Sequence, residues 1–488
     1  MSKKINKLMV VKKYIGLFIL LLPVLAFSQS SSGKIVLLSK SSREIIPGAT
    51  VINVTNQGKQ VADSEGRTHF SARVGDTLRL IVSAVGYQTD TIRLAVRQGL
   101  NEVLMTSSAA DLGEVVVTGT MRSVQRTASP VPVEVYTPKF FLKNPTPSIF
   151  DALQMVNGVR PQLNCNVCNT GDIHINGLEG PYTMILIDGM PIVSSLASVY
   201  GLSGIPNSLV ERIEIVKGPA SSLYGSEAIG GLINVITKNP LKAPLLSVDL
   251  STTTWKEINT EVAAKYRIGK NITALAGVSY FKYSHPIDNN NDNFTDVTLQ
   301  DRISIFNKFS LERPENRAAG LALRYVYEDR WGGEMNWSKK FKGTDSVYGE
   351  TIYTSRFEVT GNYQLPFKTP LVFSYSYNSH EQRSAYGTTI FNAMQHIGFG
   401  QLTWTKSSSN GKHHLLLGVV SRYTWYDDNT TATVDTFSTS NKPDKILLPG
   451  IFIQQEWTRN PKLTLLAGIR YDYDKRHGNI ITPRIAWK

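Results

Sequence analysis

The chain has 488 residues, enough for more than one domain and a sizeable core. Its formal net charge is +13, but the basic residues are dispersed rather than gathered on one face or arm. That argues against nucleic-acid binding and leaves a modest attraction for anionic ligands or lipid head groups. Two cysteines are too few for a disulfide framework.

At the N-terminus Lys3, Lys4, Lys7, Lys12 and Lys13 precede an apolar run over residues 14–27, and Ala26-Phe27-Ser28 supplies small residues before Gln29. This pattern predicts a secretory signal peptide over residues 1–28, since the run is shorter than the ~20 residues of a spanning helix. No later apolar run reaches spanning length. The 21 Tyr, 18 Phe and 7 Trp are concentrated towards the C-terminal half and flanked by charge. They suit a β-barrel, whose alternating signal averages to a polar hydropathy.

Residues 33–105 read as short strands at 34–38, 50–54, 69–72, 77–82 and 91–96, separated by turn signals such as Pro47-Gly48 and Gly75-Asp76. This spacing predicts a small β-sandwich. Residues 106–121 form a linker carrying "EVVVTG", residues 114–119. It is strand-forming but stands between a small polar run and a segment broken by prolines, with no obvious partner. A last sandwich strand or a merely β-prone linker are the competing readings.

Residues 122–240 are mixed. "SIFDALQMVNGV" carries Ile149, Leu153 and Val156 at helical spacing, and "MILIDGMPIV" is a hairpin with Asp-Gly at its turn. "LVERIEIVKG" and "GLINVIT" are further strands. From residue 241 the pattern changes to alternation: Leu463, Leu465, Ala467, Ile469, Tyr471 and Tyr473 fall on one face, with Thr464, Gly468, Arg470, Asp472 and Asp474 on the other. About twelve such strands are expected over residues 245–487. Links at 268–271, 314–316, 364–370, 408–411 and 460–461 are short. Those at 284–299, 330–349, 380–395 and 427–445 are expected to be long, the two-sidedness of a transmembrane barrel.

Taken together, "EVVVTG", "INGLEGPYTMILIDGMPI" and "IPNSLVERIEIVKGPASSLYGSEAIGGLINVITK", followed by the barrel strands, resemble a TonB-dependent outer-membrane receptor of the siderophore and cobalamin type. "IPGATVINV", "DSEGRTHFSARVGDTLRLIVSAVGY" and "NEVLM" resemble the carboxypeptidase-regulatory-like domain, a non-catalytic module of such receptors. The resemblance implies a mainly β chain: a sandwich at 33–105, an α+β plug domain at 122–240, and part of a transmembrane antiparallel β-barrel at 241–488. It also implies an outer-membrane location and active import of a scarce ligand, most of all a ferric siderophore or similar metal chelate. Cobalamin, haem and copper receptors of the same fold are the alternatives. The implied partners are the TonB–ExbB–ExbD energy-transducing complex, a small metal chelate and outer-membrane lipid, with no nucleic acid and no resident cofactor. Glu114, Val115, Val116, Val117 and Thr118 match the TonB box, a short extended peptide that adds itself to a partner's sheet edge.

Candidate ligand contacts are Cys165, Cys168, His174, Trp331, Met335 and Trp337. The Cys165/Cys168 pair reads either as a local disulfide or as a soft-metal contact with His174 and Met184 or Met190. A catalytic redox pair is disfavoured because no thioredoxin-like pattern surrounds it. "HPIDNNNDNFTD", residues 285–296, approaches calcium-loop spacing without its glycine and terminal glutamate, and reads first as a solvated loop. Trp331, Met335 and Trp337 stand either as an aromatic ligand surface or as an interfacial girdle.

Geometry bears on completeness. A plug of about 120 residues measures roughly 35 Å across as a compact sphere. Twelve strands at ~4.8 Å spacing and ~40° tilt enclose a diameter of only about 24 Å. About twenty-two would give roughly 44 Å, so the chain is expected to hold about twelve strands of about twenty-two. An enzyme is disfavoured by scattered histidines and the absence of a phosphate loop. A passive porin or an adhesin shares the barrel alternation and stands as the serious rival.

Overall fold

The computed structural model describes residues 32–488 apart from 41–42, 57, 85–86, 88, 107–114, 142, 145, 147, 166, 168–169, 193–201, 203, 436–439 and 461–462. The expected signal peptide, Glu114 and Cys168 therefore lie outside the described residues. Two compact units divide the chain, 1–114 and 115–488.

The first unit is a sandwich of β1 (Ser32–Ser39), β2 (Thr50–Asn53), β3 (Lys59–Val61), β4 (Arg67–Ser71), β5 (Thr77–Ser83), β6 (Asp90–Ala95) and β7 (Leu100–Met105). One sheet has the order β4-β1-β7 and the other β3-β2-β5-β6. Alternate residues point inward, so Leu37, Val51, Leu80, Val82, Val103 and Met105 make the core. Strand β3 escaped the sequence reading because all three of its residues are exposed and carry no alternation.

The second unit opens with β8 (Val115–Val116) and β9 (Val124–Gln125), followed by β10 (Glu134–Tyr136), β11 (Val159–Cys165), β12 (Thr170–Ile175), β13 (Thr183–Ile187), β14 (Met190–Pro191), β15 (Val210–Lys217) and β16 (Gly231–Thr237). A five-stranded sheet of order β10-β15-β16-β13-β14 forms the centre of this mixed domain. The helical pattern at 148–156 is realised as a helical turn over Ile149–Ala152 and a 3-10 turn over Leu153–Met155. Ser148 caps it, its side chain accepting from the Asp151 N–H. Asp188 and Gly189 have φ of 49° and 80°, the double left-handed geometry that a two-residue Asp-Gly hairpin demands.

Twelve strands then form one antiparallel meander: β17 (Leu246–Thr252), β18 (Ile258–Ile268), β19 (Ile272–Tyr283), β20 (Leu299–Leu311), β21 (Ala319–Gly333), β22 (Gly349–Leu365), β23 (Leu371–Tyr386), β24 (Thr389–Ser407), β25 (His413–Asp428), β26 (Asp444–Asn460), β27 (Leu463–Asp474) and β28 (Gly478–Trp487). On β27, Leu463, Leu465, Ile469, Tyr471 and Tyr473 are exposed while Thr464, Leu466, Arg470, Asp472 and Asp474 are buried. The inner face covers the mixed domain. Leu209 sits among Ala263, Leu275, Phe306 and Ala322, and Leu223 against Leu416 and Phe452.

Connections at one end are short, and at the other three run long (284–298, 334–348 and 429–443), with one correction to the expectation. The long link expected at 380–395 is a two-residue turn at 387–388, flanked by fully paired strands. Both faces are polar there (His380, Gln382 and Ser384 inside, Glu381 and Arg383 outside), so the alternation of hydrophobicity fades although the pairing continues.

Candidate functional site

The stretch expected to lack a partner has one. Val115 and Val116 pair antiparallel with Gln125 and Val124, so β8 folds back on its own domain. Val116 is fully buried among Val131, Val133, Leu186 and Leu466. Thr118 is held from three directions. Its N–H (2.9 Å) and the Val117 N–H (3.0 Å) donate to Glu214 Oε2, as does its hydroxyl. Asn234 Nδ2 donates to Thr118 Oγ1 at 2.9 Å, and the Tyr224 phenol donates to the Thr118 carbonyl at 3.1 Å.

Glu214 stands on β15 with no exposed surface, and its other oxygen accepts from Arg212 Nε at 2.8 Å. A buried carboxylate is tolerated only when its lone pairs are used, and the guanidinium with the two N–H groups uses them. Burial first, and the Glu214 charge second, push the Tyr224 phenol well above its ordinary range. Tyr224 thus remains a neutral donor to the Thr118 carbonyl. Among the described residues of the expected docking strand, only Val115 is substantially exposed, at 45%.

This assembly lies at the short-turn end of the sheet. Arg122 donates to Glu456 near the end of β26 at 2.8 Å, and Val116 packs with Leu466 near the start of β27.

Further charged contacts fix the mixed domain to the wall. Glu261 of β18 accepts from the Asn207 and Ser208 N–H groups at 3.1 and 2.7 Å. Ser304 of β20 donates to the Gly204 carbonyl, and Lys308 donates to Asp188 at 2.9 Å. On the other side Arg422 of β25 makes a bidentate pair with Glu227 (2.8 and 2.7 Å), and Arg470 of β27 donates to the Leu223 carbonyl at 2.9 Å.

The candidate ligand residues divide. Cys165 ends β11, and the tip of that hairpin sits at the long-loop end, where Thr298 donates to the Val167 carbonyl at 2.7 Å. His174 lies on β12 with its ring nitrogen 2.8 Å from Asp172 Oδ1. Among the described residues no group of three or more metal-ligating side chains assembles. Met184 is 3% exposed and belongs to the domain core, which removes it from the proposed soft-metal set.

Trp331 shares the outward face of β21 with Tyr325 and Tyr327, opposite buried Arg324, Glu328 and Arg330, and Lys339 Nζ stands 5.6 Å from its ring centroid. That is the face on which a girdle would lie. Met335 and Trp337 lie in the loop after β21, both half-buried, with Trp337 stacked so closely on Gly349 that a Cβ there would meet it at 2.3 Å. In the 285–296 loop, Asp288 accepts from the backbone N–H groups of Asn291 and Asn293, so its oxygens close turns rather than a cation cage. The latch residues Glu214, Asn234 and Tyr224 were absent from the sequence reading. Only an acid placed within the apolar strand "ERIEIV" hinted at Glu214.

Comparison with known proteins gives concordant results. Residues 125–232 match the TonB-dependent receptor plug domain, and residues 31–117 match the carboxypeptidase-regulatory-like domain. An iron-regulated outer membrane virulence protein of Vibrio cholerae is 26% identical over 353 residues, covering 69% of this chain and 51% of that protein. The chain thus spans about half the length of this curated relative. The crystal structure of the siderophore receptor PirA from Pseudomonas aeruginosa aligns with a TM-score of 0.53 at 18% identity, covering 73% of this chain and 58% of that one. A mutant of the ferric enterobactin receptor PfeA from the same organism gives 0.58 at 17%, covering 76% and 61%. At these identities the structural likeness speaks for the fold.

Proposed function

From the premise that this chain belongs to the TonB-dependent receptors, with their plug domain and a carboxypeptidase-regulatory-like domain, we propose that it serves active import of a scarce iron chelate across the outer membrane. The cargo reading is a ferric siderophore, and it draws support from the iron-regulated relative and the siderophore-receptor fold. Cobalamin, haem and copper complexes are the alternative cargoes. The energy arrives by contact with the TonB–ExbB–ExbD complex, because the outer membrane has neither nucleotide nor ion gradient to spend.

The observation that carries this reading is the docking strand held by Glu214 at the short-turn end. A porin needs no peptide parked against its lumen domain. In a receptor the parked strand is withheld from the partner until the plug shifts. Released, residues 114–118 offer an unpaired edge that a periplasmic sheet can take up by backbone hydrogen bonding.

Removing residues 114–118 from the full-length protein tests it. Import of iron-loaded chelates by an iron-starved strain should fall to background while chelate binding to the cell surface is retained. Unchanged uptake would leave a passive porin as the better account. Cys165 and Cys168 have their own test: copper or haem binding unaltered by Cys165→Ser and Cys168→Ser would remove them from the ligand set.

A further inference from the structure

The inner face of β23 has a composition unlike its neighbours. Ser374, Ser376, Asn378, His380, Gln382 and Ser384 occupy every inward position along most of the strand, all buried, with neither an apolar nor an acidic side chain among them. Beside this ladder stand Arg356 of β22 and Gln395 of β24, each in register with His380. Among the described residues several of these groups lack a hydrogen-bond partner: both terminal nitrogens of Arg356, Ser376 Oγ, and the side-chain oxygens of Asn378, Gln382 and Gln395. Arg356 is 3% exposed, and its Nε donates to Glu358, which stands in register with Asn378. Buried amides and guanidinium groups without protein partners are satisfied by water.

Strand β14, last in the order of the plug's central sheet, lies against β23 through Met190 and Pro191. Among the described residues no hydrogen bond joins the two. On either side the plug is fastened, by Glu261, Ser304 and Lys308 on β18 and β20, and by Arg422, Glu456 and Arg470 on β25 to β27. Separating the plug from the wall at those strands breaks charge-assisted bonds. Between β14 and β23 it breaks the contact that Met190 and Pro191 make with a surface already made for water.

We propose that the β14–β23 seam is the passage through which cargo crosses the barrel, with the ladder as a hydrogen-bonding track and Arg356 as its cation. The chemistry fits an anionic, oxygen-rich chelate: hydroxyl and amide groups exchange hydrogen bonds with its oxygens one rung at a time, and one guanidinium holds its charge without trapping it. This rests on the import reading for the identity of the cargo, but the seam itself is tested without cargo.

In the full-length protein carrying Cys165→Ser and Cys168→Ser, single cysteines are introduced at Asn378 and Gln382 on the ladder and at Ser279 of β19 and Gln454 of β26, both buried under the fastened flanks and neither itself a fastener. Each variant, folded in vesicles, is reacted with a charged thiosulfonate in sub-denaturing urea. Local opening should expose the least fastened seam first, so the ladder cysteines should react at least about tenfold faster than the flank cysteines. Ser376→Cys, which keeps size and shape, repeats the measurement should Asn378→Cys fold poorly. Equal rates, or faster reaction at Ser279 and Gln454, would overturn the seam. Uptake that survives deletion of 114–118 would overturn the import reading alone, because the labelling order does not depend on it.

Discussion

At the scale of single residues, Glu214 holds the strand proposed to dock the periplasmic partner. One of its oxygens meets two N–H groups and a hydroxyl while the other meets Arg212. An amide has one oxygen only, so Glu214→Gln must abandon either Arg212 or Thr118. Breaking such a buried pair costs roughly 3–5 kcal/mol. The expected outcome is a loosened strand: a spin label at Val115 becomes mobile without ligand, and the affinity of the isolated receptor for the periplasmic partner rises. A label as immobile as in the wild type would show that the apolar burial of Val116 suffices alone. Trp331 invites a second substitution. On the outward face beside Tyr325 and Tyr327, Trp331→Ala should lower the thermal stability of the membrane-embedded protein by a few degrees and leave chelate affinity unchanged. A loss of affinity at unchanged stability would return Trp331 to the ligand surface.

Among elements, legibility followed the range of the determining contact. Strand β27 could be read outright, because period-two alternation is written in consecutive residues and each face has one environment. The Asp188-Gly189 hairpin was equally plain, since only a few residue types adopt its backbone. Strand β8 could be seen as a strand but not as a paired one. Its ladder partner begins after a reversal at Thr118-Gly119-Thr120, and Glu214, its strongest contact, lies 96 positions from Thr118. Leu466 shows the same limit from the other side. It breaks the polar inner pattern of β27 because it meets Val116 and Leu186 of the plug, and nothing local in the sequence announces that. For the candidate ligand residues, sequence supplied residue types but not the faces on which strand parity would place them.

At the scale of the whole molecule, charged contacts hold the plug along two flanks, while β14 meets β23 through Met190 and Pro191, and the proposed displacement would take that direction. Arg422→Ala removes a bidentate pair and leaves the Glu227 carboxylate without it. It should raise amide exchange in the segment around Glu227 while β14 and its neighbours change little; a uniform rise across the plug would mean that the domain moves as one body. The two-residue turn at 387–388 bears on a different matter, how the sheet comes into being. It joins strands of 16 and 19 residues with almost no loop to close, whereas the neighbouring strand pairs at the same end enclose 15 intervening residues each. Closing a short loop forfeits less chain entropy, which favours this hairpin as the earliest long pairing and as a template on which sheet grows both ways. Gly387 has φ of 54°, where a β-branched side chain is strained, and a Cβ there would meet Tyr348 at 3.1 Å. Gly387→Val should therefore slow assembly into lipid several-fold, followed as the appearance of protease-resistant barrel, while the protein that does assemble keeps the same pairing.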